Sequence, residues 1–152
     1  MKYRRLGAGD IEDVAKLFAE LTGDPLVIDS RQIKKVLSFE GTQMFGAELN
    51  GSIVSMATLH LLPNLGGSRL VYGLVENVVT LSAFQKRGFG RGVVDLMISA
   101  AWEAGAYKIM LLTGIEAKAT KFYEKLGFSA DSKIGMQIRN IPVRRIGDGG
   151  CC

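Results

Sequence analysis

From Val75 to Gly92 the chain reads Val-Glu-Asn-Val-Val-Thr-Leu-Ser-Ala-Phe-Gln-Lys-Arg-Gly-Phe-Gly-Arg-Gly: a strand-like run, a basic turn rich in glycine, then the start of a helix. After the turn, Val93 to Ala104 is apolar except for Asp95, Ser99 and Glu103, which with Arg91 recur every fourth residue. That spacing predicts a helix buried on all but one narrow stripe. A helix held this firmly fixes its first turn in space, with that turn's unpaired backbone N–H groups and the positive end of the dipole. Gly88, Gly90 and Gly92 let a ligand come close to the main chain there, and the ligand such a turn suits is an anion.

The rest of the chain restricts what surrounds this unit. A length of 152 residues suits one domain. Residues 1–142 read as that domain, and 143–152 as a polar, glycine-rich flexible tail. No apolar run reaches the ~20 residues that span a bilayer. Met1-Lys2-Tyr3-Arg4-Arg5 does not open a signal peptide, so the expected location is cytoplasmic, without a membrane partner. Cys151 and Cys152 stand together at the end and cannot staple a core, and His60 is the single histidine, so no metal site is expected. The net charge is +4, yet basic residues cluster only at Lys86, Arg87, Arg91 and at Arg144, Arg145. A nucleic-acid surface needs a basic stripe interleaved with aromatics, which this chain lacks, so no nucleic acid is expected as a partner. A small polyanionic ligand accounts for the Lys86–Arg91 group.

In chain order, Tyr3 to Leu6 reads as a first strand. Asp10 is expected to cap a helix carrying Ile11, Val14, Ala15, Phe18 and Leu21, stopped by Gly23-Asp24-Pro25. A second helix starts near Asp29 or Ser30 and ends near Gly41. Met44 to Leu49 and Ser52 to Leu62 form a hairpin through Asn50-Gly51, residues that tolerate positive φ. Pro63 to Ser68 reads as a loop and Arg69 to Leu81 as a strand. Tyr107 to Leu112 reads as a strand covered on both faces, parallel to the one before the turn because a helix intervenes. Glu116 to Leu126 is a helix closed by Gly127, and alternating Ile134, Met136 and Ile138 predict a last strand. Trp102, Met97 and Met110 are expected in the core, and His60 as a structural strand residue that is also a candidate second base.

This order, β-α-α-β-β-β-α-β-α-β, together with Gln85-Lys86-Arg87-Gly88-Phe89-Gly90 and Phe122-Tyr123-Glu124-Lys125-Leu126-Gly127-Phe128, resembles the GCN5-related N-acetyltransferase (GNAT) superfamily. The segment around Glu76 is similar to the glucosamine-phosphate branch, with Asn77 where that branch usually carries aspartate. The resemblance implies an α/β fold with a mixed, mostly antiparallel sheet splayed between its fourth and fifth strands. In that opening lies acetyl-CoA as cosubstrate, used for direct transfer to a primary amine of a small metabolite, amino sugar phosphate or protein. The implied cofactor contacts are Val78, Val79 and Thr80 along the strand and Gln85, Lys86, Arg87, Gly88, Phe89, Gly90 and Arg91 at the turn. Tyr123 is implied as the acid that protonates the departing thiolate, and Glu76 as the base for the amine. Members often carry asparagine seven or four residues before this tyrosine, where Glu116 and Ala119 stand here; Lys118 and Lys121 read as solvated lysines. Many members dimerise, but no seam in the sequence specifies a homodimer. The rival reading is a non-catalytic acyl-CoA-binding or regulatory protein of the same fold.

Overall fold

The computed structural model describes residues 1–23, 29–66, 69–114, 119–131 and 133–140. The elements are β1 (Lys2–Arg5), α1 (Ile11–Thr22), α2 (Ser30–Leu37), β2 (Thr42–Leu49), β3 (Ser52–Gly66), β4 (Arg69–Thr80), α3 (Phe89–Glu103), β5 (Ala106–Leu111) and α4 (Thr120–Glu124). Five strands lie in sequence order across one sheet. The pairs from β1 to β4 are antiparallel, and β4 and β5, joined through α3, are parallel.

Strand alternation sends side chains to two helical layers. Phe45, Ala47, Val54, Ala57, Leu59 and Val75 meet Val93, Val94, Met97 and Ala101 of α3 on one face. Met44, Ile53, Met56 and Val79 meet Leu17 of α1 and Ile33 of α2 on the other. The exposed side of α3 follows Arg91, Asp95, Ser99 and Glu103 as the four-residue spacing predicts. Asn50 and Gly51 form the hairpin turn with φ of 50° and 83°. Asp29 caps α2, its carboxylate accepting from the Arg31 N–H at 2.9 Å.

Several expectations need correction. Asp10 does not cap α1 with its side chain; a 3-10 turn, Ala8–Asp10, precedes the helix. Its carboxylate instead accepts from the Gly7 N–H at 2.8 Å and from Arg4 at 2.7 and 2.9 Å. Arg4 also reaches Glu48 at 2.6 Å, which ties β1 to β2 and to the entrance of α1. The predicted loop from Pro63 is strand as far as Gly66, because continued pairing with β4 outweighs the local turn signals. The ladder is irregular between Pro63 and Gly66, where a missing proline N–H does least harm.

The outer strand β5 packs toward the α3 layer through Ala106, Ile109 and Leu111. Lys108 and Met110 are therefore exposed, and the expected two-sided burial fails because α1 and α2 do not extend over the sheet's edge. Trp102 borders the wet stripe of α3 and is 50% exposed, whereas Met97 is fully buried. Ile134, Met136 and Ile138 are 91%, 89% and 100% exposed and belong to no strand. Their alternation suits a strand, but among the described residues no neighbouring strand pairs with them. The α4 helix is five residues long and Gly127, at φ 91°, closes it; residues 115–118 lie outside the described residues. So do the tail at 143–152 and the cysteines. No described helix is long and apolar enough to cross a membrane.

The hydrogen bonds from Arg4 hold the Asp10 carboxyl below the usual carboxylate range, outweighing the upward push of its partial burial; the Gly7 N–H adds to the lowering. A depressed carboxyl stabilises the fold above its unfolded-state pKa of about 3.9, and that contribution is lost as pH falls through the folded value. Asp10→Asn should therefore cost roughly 1–3 kcal/mol in urea unfolding at pH 7. The gap to the wild type should begin to narrow below about pH 4 and keep narrowing as pH falls through the folded value. A gap that did not narrow at all as the pH was lowered would assign the loss to packing instead of charge.

Candidate active site

The site is built where β4 leaves its neighbour. The ladder between β4 and β5 ends at Val75↔Leu111, so from Glu76 to Thr80 the side of β4 that faces β5 has no strand partner among the described residues. At the same place β4 bulges against β3. The pairs Met56↔Val79 and Thr58↔Glu76 leave Asn77 and Val78 opposite Ala57 alone. Asn77 takes a left-handed φ of 53°, a conformation that asparagine and aspartate accept more easily than other non-glycine residues. Its side-chain amide donates to Thr58 Oγ1 at 3.4 Å.

The extra residue reverses the alternation. Val75 points into the α3 layer, but Val79 points to the α1–α2 layer. Thr80 is then buried toward the first turn of α3, its hydroxyl 2.8 Å from Ser55 Oγ. Gln85 closes the turn by donating from its side-chain amide to the Thr80 carbonyl at 3.2 Å. The Glu20 carboxylate of α1 accepts from the Ser82 N–H at 3.1 Å and tethers the start of the same turn.

The three glycines have separate tasks. Gly88 sits at φ 86° with open space where a Cβ would be, so it is needed for its conformation and leaves room in front of the α3 N-terminus. At Gly90 a Cβ would lie 3.1 Å from Thr80 Oγ1, which makes this the point where strand and helix touch. The expectation that Gly92 admits a ligand is corrected. A Cβ there would meet the Tyr3 ring, so Gly92 serves the packing of α3 on β1.

A cavity of about 300 Å³ opens against this turn. Its strand side is Val78 and Thr80, and its turn side runs from Phe84 through Gln85, Lys86, Gly88, Phe89 and Gly90 to Arg91. Phe122, Lys125 and Leu126 complete the lining. Arg87 does not line the cavity; its guanidinium lies over the rings of Phe84 and Phe89, 5.3 and 5.5 Å from their centres. Lys125, the residue after α4, was not singled out from the sequence and joins Lys86 and Arg91 as a cation in the lining. Spacing alone could not bring it to the turn.

Glu76 is the first residue beyond the β4–β5 ladder and is exposed, facing away from the α3 layer that holds Val75. Tyr123 is 8% exposed, its ring edge-to-face with Phe122 at 5.1 Å and with Phe128 at 5.8 Å. His60 is half-buried, its Nδ1 2.8 Å from Thr42 Oγ1 on β2. Ala119 is buried and Lys121 exposed, while Glu116 and Lys118 lie outside the described residues.

A model of the acetyltransferase (GNAT) family matches residues 11–128, from α1 to the end of the α4 turn. The chain belongs to the GNAT family. Glucosamine 6-phosphate N-acetyltransferase of Trypanosoma brucei brucei is 26% identical over 137 residues, spanning 88% of this chain and 92% of that protein. The enzyme of the same name from Arabidopsis thaliana is 29% identical over 145 residues, 86% and 91% of the two chains. A putative acetyltransferase from Agrobacterium tumefaciens str. C58 superposes with a TM-score of 0.85 at 37% identity, covering 91% of this chain and 99% of that one. As a GNAT protein the chain is an acetyl-CoA-dependent N-acetyltransferase. The site fits that cosubstrate, with an unpartnered strand edge leading into an open, cation-bearing turn.

Because Gly92 is a packing position, Gly92→Ala should lower stability by about 1–3 kcal/mol through displacement of Tyr3. Thermal unfolding of Gly92→Ala alone and combined with Tyr3→Ala would check this. The two losses should be strongly non-additive, and simple additivity would separate Gly92 from Tyr3.

Proposed function

We propose that this GNAT enzyme acetylates a primary amine in a ternary complex. The pyrophosphate of acetyl-CoA lies on the backbone N–H groups from Lys86 to Arg91, and the pantetheine arm runs along Val78, Val79 and Thr80. The observation that carries this reading is the free edge of β4 beyond Val75, which offers main-chain donors and acceptors in strand geometry to an arm that itself contains amides. Several charge-assisted bonds at the turn, each worth roughly 1.5–3 kcal/mol, anchor the cosubstrate without an enclosed pocket.

The proposed chemistry assigns roles to Glu76 and Tyr123. An alkyl amine with a pKa near 10.4 is protonated at neutral pH and cannot attack a thioester until it loses a proton. Glu76, at the mouth of the opening, takes that proton directly or through water. The neutral amine attacks the thioester carbonyl, whose developing charge is met by a backbone N–H of β4. Collapse of the intermediate expels CoA thiolate, which Tyr123 protonates. Amide formation and thiol release thus balance the proton taken from the amine. An amino sugar phosphate heads the acceptors, since two relatives carry glucosamine 6-phosphate N-acetyltransferase as their name. Asn77 preserves the left-handed bulge that aspartate also accepts, but without its charge.

Acetyl-CoA-dependent thiol release over glucosamine 6-phosphate, polyamines, aminoglycosides, amino acids and lysine peptides tests the proposal, with turnover expected for one class. Acetyl-CoA binding with silence across the panel would favour the non-catalytic reading. Glu76→Gln should lower kcat roughly 10²-fold at neutral pH and recover at alkaline pH, where the amine is already neutral. Tyr123→Phe should lower kcat by a similar factor with acetyl-CoA affinity intact. An unchanged pH profile for the first, or full turnover for the second, would remove that residue from the mechanism.

A further inference from the structure

We infer that Ser55, a buried residue outside the cavity, is a positioning residue for the cosubstrate: it holds the unpaired stretch of β4 at a fixed separation from the turn at the start of α3. The inference rests on the acetyl-CoA reading of the site and adds a residue to it. Ser55 lies on β3, is 0% exposed and pairs with Thr80, beside Met56↔Val79, where the ladder resumes after the bulge. Its Oγ donates to the Val79 carbonyl at 3.1 Å and lies 2.8 Å from Thr80 Oγ1. A hydroxyl carries one proton. With the Ser55 proton on the Val79 carbonyl, the shorter contact is a hydrogen bond only when Thr80 donates to Ser55, so one arrangement alone makes both bonds. Size does not call for serine here, since Ala47, its partner on β2, and Ala57 fill equally buried positions.

Thr80 carries this grip to the site, because it lines the cavity and Ser55 does not. The Thr80 carbonyl accepts from the Gln85 side-chain amide at 3.2 Å, and Thr80 Oγ1 lies 3.1 Å from the place a Cβ would take on Gly90. One residue thus touches β3, the turn and the first turn of α3, and its rotamer sets the gap between the free edge of β4 and the α3 N-terminus. The pantetheine arm uses that edge and the pyrophosphate uses that N-terminus, and both belong to one ligand. A separation fixed before binding spares the complex the cost of ordering it. Loss of the Ser55 hydroxyl leaves the Val79 carbonyl without this donor and the Thr80 proton without its acceptor, so the edge and the turn lose their common reference.

Calorimetry would compare CoA with adenosine 3′-phosphate 5′-diphosphate, which is CoA without its pantetheine arm, on the wild type, Ser55→Ala, Thr80→Val and the double variant. Ser55→Ala should weaken CoA about fivefold to twentyfold, as loss of a buried hydrogen bond allows, and leave the armless ligand within about twofold. Thr80→Val keeps the shape and removes the other hydroxyl; it should give the same pattern and add little to Ser55→Ala. Thr80→Ser keeps the hydroxyl and should stay within about twofold of the wild type for both ligands. Ile33→Val, a buried change on α2, is the control and should lower thermal stability without moving either affinity. Equal weakening of both ligands would make Ser55 a general support of the fold, unchanged CoA affinity would remove it from binding, and additive losses would separate it from Thr80; each result overturns the proposal. Should Ser55→Ala fail to fold, Thr80→Val against Thr80→Ser decides by the same comparison of ligands. A wild type that bound neither ligand would overturn the acetyl-CoA reading itself, which failure of the variants to differ would leave standing.

Discussion

The parallel ladder between β4 and β5 ends at Val75, and the site is a consequence of that ending. The earlier part of β4 pairs with β5, and the stretch of β4 that leads into the crossover helix has no strand partner on that side among the described residues. Here they part where Asn77 adds a residue to β4. The bulge twists the strand locally and exchanges the faces of the residues after it. Val79 thereby joins the α1–α2 layer while Thr80 meets α3, and one edge of the strand stays unpaired. An exposed strand edge is ordinarily a liability for association. In this enzyme it is short, Glu76 to Thr80, and is the bed proposed for the extended cosubstrate.

The turn proposed to hold the pyrophosphate depends on the layers beneath it. Its N–H groups are useful only if α3 is immobile relative to β4. That restraint comes from the buried face of α3, from the contact of Thr80 with Gly90, and from tethers by Gln85 and Glu20 to neighbouring backbone. The Arg87 guanidinium lies over the rings of Phe84 and Phe89, so a residue with the charge of a ligand contact packs on the turn's own aromatics. Lys125, which follows α4, lines the same cavity, brought there by the fold and not by proximity in sequence.

Where sequence reasoning failed, the cause lies in the surroundings of each segment. The apolar runs in β5 and at Ile134–Ile138 carry the right periods, yet coverage depends on which helices reach the sheet's edge and on whether a partner strand is at hand. Asp10 has the chemistry of a helix cap, but the Arg4 guanidinium competes for its carboxylate and wins with two charge-assisted bonds. Gly92 belongs to a glycine-rich turn, yet what approaches it is the ring of Tyr3, whose position depends on the pairing of β1 with β2.

The sequence by itself determined the local elements whose chemistry is self-contained: the Asn50-Gly51 hairpin, the buried helix after the basic turn, and the turn with its glycines and family motifs. Each rests on interactions between residues close in the chain, where propensity and periodicity act directly. Tertiary structure alone decided that β4 and β5 part at Val75, that Arg87 stacks while Lys125 faces the cavity, and that Glu76 stands at the opening. Those outcomes depend on which distant segments share a layer, and burial and pairing across layers leave no fixed spacing in the chain to read.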